Sequence, residues 1–69
     1  MTEAHKAWAA HEGPTVRQWC DATWYDLDEL LIYKSSSGEW VPDPDDSYLD
    51  AHITQVDTYG GVDHITVER

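Results

Sequence analysis

The chain has 69 residues, 14 carboxylates against four Lys and Arg, and a formal net charge of −10. A chain of this length buries about 60% of its unfolded surface, which allows one modest core and excludes a deep cavity between domains. The sign of the field excludes a basic stripe for direct nucleic-acid binding and attraction to an anionic membrane, and it favours basic protein surfaces.

The charge is concentrated. From Gln18 to Glu68, twelve carboxylates stand against Lys34 alone, a net −11. A net charge of roughly 2 to 8 is enough to solubilise a small domain, and any excess costs stability through self-repulsion. Asn and Phe are absent and Lys occurs twice, a pattern of GC-rich genomes, yet Arg, which such genomes favour, is present only as Arg17 and Arg69. Depletion of both cations reads as selection for negative charge, by a partner or by a salt-adapted source. Four Trp and four Tyr supply most of the material for burial. Cys20 is the only cysteine, which excludes an internal disulfide and a multi-cysteine metal site and fits a reducing cytoplasm. Met1 to His11 lacks a basic segment followed by an apolar stretch, and the longest strongly apolar run is Leu30 to Tyr33, so neither a signal peptide nor a membrane span is expected.

In chain order, Thr2 as N-cap, Glu3 in a first turn and Gly13-Pro14 as a stop predict a short helix over 3–12, anchored by Trp8. Thr15-Val16-Arg17-Gln18 has the form of a capping box, and Val16, Trp19, Cys20, Thr23 and Leu27 keep helical spacing, so 15–27 is expected to be helical, although Thr23-Trp24-Tyr25 also favours a strand. Leu30 to Lys34, a loop at 35–38 and Glu39 to Val41 predict a hairpin with Lys34 opposite Glu39 and Tyr33 opposite Trp40. Asp43-Pro44-Asp45-Asp46 has the grammar of a helix start with Asp43 as N-cap, for a short helix to Asp50. Ile53 to Tyr59, Gly60-Gly61 and Val62 to Val67 form a second hairpin. A two-residue turn puts Val56 opposite Ile65 and Thr54 opposite Val67 on a core face, with Asp57 opposite His64 on a solvated one. The fold class expected is α+β: a single acidic domain over 1–69, with one or two N-terminal helices on an antiparallel sheet ending in that hairpin.

The residues offer little to chemistry. His5 and His11 are six apart and do not share a helix face, and the run from Asp43 departs from a calcium loop at Tyr48 and Thr54, where Gly and Glu are required. Helix capping explains the Asp43 cluster more simply. Cys20 has no histidine nearby in sequence, Ser35-Ser36-Ser37 is turn material, Asp57 with His64 reads as a cross-strand pair, and no glycine-rich phosphate loop occurs. No metal, cofactor or enzymatic activity is expected.

The acidic residues carry the functional expectation. Alternate residues of a strand project about 6.8 Å apart, twice its rise of about 3.4 Å, a spacing close to that of successive phosphates. Asp26 with Asp28, Asp43 with Asp45, and the wider set Asp21, Glu29, Asp46, Asp50, Asp57 and Asp63 are expected to present a phosphate-like array. Trp24 and Tyr25 precede Asp26, and Tyr48 lies within the acidic run; aromatics beside charge are typical interface anchors. Trp8, Trp19 and Trp40 are expected in the core. Small size, strong acidity and the lack of a catalytic motif resemble phage anti-defence proteins (anti-CRISPR or anti-restriction inhibitors) and nuclease immunity proteins, a likeness of class and composition with no shared motif. It implies an inhibitor of a basic partner, such as a nucleic-acid-binding complex or nuclease, in the host cytoplasm. The rival expectation is a structural or adaptor subunit, such as a virion or assembly component, whose acidic surface is only solvated.

Overall fold

The computed structural model describes residues 4–69. Five strands form one mixed sheet: β1 (Ala4–Ala7), β2 (Leu31–Lys34), β3 (Trp40–Val41), β4 (Ile53–Tyr59) and β5 (Val62–Val67), in the order β1-β4-β5-β2-β3. One α-helix, α1 (Val16–Thr23), and two 3₁₀ turns, Leu27–Glu29 and Asp46–Asp50, complete the described residues.

The α+β class holds, with one helix and a sheet that is mixed where an antiparallel one was expected. The parallel pairing joins β2 to β5, with Leu31 beside His64 and Lys34 beside Val67. Both strands supply the core: Ile32, Ile65 and Val67 are fully buried with Val16 and Ile53, and Val56 and Leu30 nearly so. Each such side chain contributes about 1.5–3 kcal/mol by leaving water. That gain favours setting β5 between β4 and β2, whatever the strand direction.

The first expected helix is instead a strand. Ala4–Ala7 pairs antiparallel with β4, His5 opposite Asp57 and Lys6 opposite Val56. An alanine-rich segment with one large apolar side chain gains little by packing as a helix, whereas β4 offers it an edge of unpaired amides and carbonyls. Thr2 and Glu3, the expected cap, lie outside the described residues. Gly13 permits the close passage that follows, since a Cβ there would stand 1.9 Å from the Ile53 carbonyl oxygen.

Helix α1 follows its capping box. The Gln18 amide donates to the Thr15 hydroxyl at 3.2 Å, and the Thr15 amide donates to the Gln18 side chain at 2.8 Å. The helix ends earlier than Leu27, at Trp24, whose backbone adopts a left-handed φ of 65° and donates to the Cys20 carbonyl. The first hairpin has the expected register, Ile32 opposite Val41 and Tyr33 opposite Trp40. The second turns at Gly60-Gly61, both at positive φ, as a two-residue turn demands. Val56 faces Ile65 and Asp57 faces His64, but an irregularity after Ile53 sets Ile53, not Thr54, opposite Val67. The shift lets Ile53 and Val56, three apart in sequence, both enter the core, which strict alternation forbids.

Helix α1 and the core cover one face of the sheet. The other is open. Alternation along the strands puts His5, Asp57, Tyr59, His64, Thr66, Leu31, Tyr33 and Trp40 on it. Among the described residues no helix is long and apolar enough to cross a membrane.

Candidate functional site: an acidic cleft beside an aromatic sheet face

The turn after α1 and the loop after β3 bring distant carboxylates together. Asp26 precedes the 3₁₀ turn that carries Asp28 and Glu29, and its amide donates to the Glu29 carboxylate at 3.2 Å. Across from it, Pro42-Asp43-Pro44 leads into the second 3₁₀ turn. The space between is a cleft of ≈ 400 Å³, with Asp26, Asp28, Asp43 and Asp46 on its walls. Leu30, Leu31, Trp40 and Val41 contribute its apolar lining, and among the described residues no Lys or Arg lines it. A second recess of ≈ 300 Å³ shares Asp26, Leu27 and Asp46 and adds Asp21, Tyr25, Cys20 and Arg17. Five expected acids, Asp21, Asp26, Asp28, Asp43 and Asp46, therefore gather around two adjoining depressions, with Tyr25 beside them.

The phosphate-like strand array does not form. Asp26 and Asp28 belong to a 3₁₀ turn and its cap, and Asp43 and Asp45 to a loop and the cap of the next turn, so no pleat spaces them. The cap of Asp46–Asp50 is Asp45, not Asp43: its carboxylate accepts from the Ser47 hydroxyl and, at 3.0 Å, from the Ser47 amide. Those bonds hold Asp45 below the ordinary carboxylate range.

Other expected partner-binding residues are engaged within the fold. Asp63 is buried, 8% exposed, and accepts from the Trp19 indole at 3.0 Å and the Thr58 hydroxyl at 2.9 Å. Tyr48 is half-buried, with the Arg69 guanidinium 4.5 Å from its ring centre. Asp50 pairs with Arg17 at 3.2 Å on the surface. Asp57 lies apart from the cleft on the open face, bonded to His5 and, at 2.8 Å, to Gln55. Those bonds, His5 first, hold its carboxyl below the ordinary range. Trp24 is 93% exposed and Tyr25 is exposed.

Trp40 reverses its expected place. It is 55% exposed, because its register with Tyr33 turns it to the open face. Trp8 and Trp19 do pack against the core. The residues missed as site candidates are Trp40, Tyr33, Tyr59 and His64; their signal was the alternation of the two hairpins, which already set Tyr59, Asp57 and His64 on one face.

Asp26, Asp28 and Glu29 each bring an oxygen within 4.8 Å of the others, all exposed. Cys20 is pushed above the ordinary thiol range by burial and then by Asp26, Asp21 and Glu29, which keeps it protonated. Comparison with protein-family models, with curated proteins and with solved structures finds no match.

Proposed function

We propose that this chain is a non-enzymatic acidic inhibitor that binds a basic protein surface, such as the substrate groove of a nuclease or other nucleic-acid-binding complex. This is the working mode of a phage-type anti-defence protein in the host cytoplasm. The observation that carries the reading is the cleft of ≈ 400 Å³, where four carboxylates meet over leucine and tryptophan with no Lys or Arg among the described residues of its lining. A long basic side chain fits such a place, because its stem packs on apolar surface while its head meets carboxylates. The acidity acts here as a steering field and a set of ion-pair partners; the resemblance to nucleic acid is one of charge and not of phosphate spacing.

The test uses charge reversal at Asp28, Asp43 and Asp46, which spares the Asp45 cap and the buried Asp63. With a partner identified by affinity capture, the triple Lys variant should associate about tenfold or more slowly, and the difference should shrink with added salt. Nucleic acid should compete for the same site on the partner. A partner that binds nucleic acid and this protein together, and the triple variant as tightly as the original, overturns the proposal. A structural or adaptor subunit with an apolar assembly interface would instead bind with little dependence on salt.

A further inference from the structure

The open sheet face carries a group of side chains that neither the core nor the acidic cleft uses. Tyr33, His64 and Tyr59, on three adjacent strands, set their rings in a row: Tyr59 stacks on His64 with centroids 4.0 Å apart and planes 8° apart, and Tyr33 lies 6.1 Å beyond at 20°. A hydrogen bond of 3.2 Å between the Tyr33 hydroxyl and His64 Nδ1 fixes the row. Beside it is a recess of ≈ 270 Å³ bounded by Tyr33, Tyr59, His64, Thr66, Gly38 and Asp57. Gly38 keeps one rim low, with nothing within 4 Å of where its Cβ would stand. Asp57 supplies the charge. It is held ionised by His5 and Gln55, and a carboxylate with one bond at each oxygen retains lone pairs for further donors.

A row of rings with an exposed end at Tyr59, a fixed carboxylate and a hydroxyl in one recess match a flat, cationic, multiply donating group. A guanidinium has that shape and charge; an anion meets Asp57 and the net charge of −10, and a neutral ring leaves the carboxylate unused. We infer that the Tyr33–His64–Tyr59 recess binds the guanidinium of an arginine on the protein partner, stacking it on the rings and pairing it with Asp57. The inference rests on the reading of the chain as a binder of basic surfaces and adds a second contact point to it. Trp40, register partner of Tyr33 on this face, lines the acidic cleft while Tyr33 lines the recess, so one cross-strand pair links the two depressions. The interface then has an aromatic centre with charged flanks, the usual anatomy of a hot spot.

The test is an NMR titration of the intact protein with a short peptide of alternating arginine and glycine, against the same peptide with citrulline, the uncharged isostere of arginine. The arginine peptide should shift the Tyr33, Tyr59 and His64 ring signals saturably, and the citrulline peptide should not. Tyr59→Leu, which keeps apolar bulk but removes the π face, and Asp57→Asn should each weaken the ring-site affinity about threefold to tenfold. Tyr33→Phe, which keeps the ring but removes the hydroxyl that holds the row, should weaken it less than either. Amide spectra report that each variant is folded. Shifts confined to the cleft around Asp26, Asp28, Asp43 and Asp46 overturn this inference and leave the proposed function standing. Equal ring shifts with citrulline overturn the cationic assignment, and absence of binding to any basic peptide overturns both readings.

Discussion

Asp63 shows how far position decides the meaning of a carboxylate. In sequence it is one acid among many; in the fold it is the buried acceptor that ties the Trp19 indole of α1 to Thr58 of β4. Trp19→Phe keeps an aromatic ring against the core but removes one donor, and a buried acceptor losing a partner costs about 1–3 kcal/mol. Denaturant unfolding of that variant should show the loss without a change in slope. Asp57 gives a pH prediction. Its folded pKa is depressed, chiefly by the His5 hydrogen bond, so its contribution is present above the unfolded value of about 3.9 and is lost as pH falls through the folded value. Asp57→Asn should therefore flatten the acid limb of stability against pH, and an acid limb as steep as that of the original chain would show that other groups set it.

At the scale of elements, local signals succeeded where a segment satisfies its own backbone. The Thr15–Gln18 box starts α1, an eight-residue helix too short to persist without tertiary contacts. Thr15→Ala should cost about 1 kcal/mol, within the range of 0.5–2 for N-caps, and a melt showing no change would mean that Val16 packing alone defines the helix start. The Gly60-Gly61 turn was legible for the same reason, because two consecutive positive φ angles need glycine. The segment 4–7 was misread because nothing within it records that β4 has a free edge. Likewise Asp45, and not Asp43, caps the second 3₁₀ turn: two prolines bias the chain before it toward extended backbone, and the Ser47 hydroxyl rewards the later start.

Across the whole molecule, charge and aromatics are sorted. Carboxylates gather in the turns after α1 and β3, while the open sheet face holds Trp40, Tyr33, His64 and Tyr59 with Asp57 among them. A net charge of −10 on so small a body opposes compaction. The melting temperature at neutral pH should therefore rise with added salt as the repulsion is screened. A melt independent of salt would mean that local ion pairs such as Arg17–Asp50 already offset the field.

The order of residues along the chain already specifies the sign and size of the electrostatic field, the helix capped at Thr15, both hairpins with most of their register, and the number of carboxylates. These depend on composition or on contacts a few residues apart, so local chemistry fixes them. Long-range packing set β2 parallel to β5, made Ala4–Ala7 an edge strand, put Asp63 inside and Trp40 outside, and brought Asp26 and Asp46 to the lining of one cleft. Each of these turns on which segments meet across the sheet. That choice follows from the apolar area buried by the whole chain, which no window of its residues records.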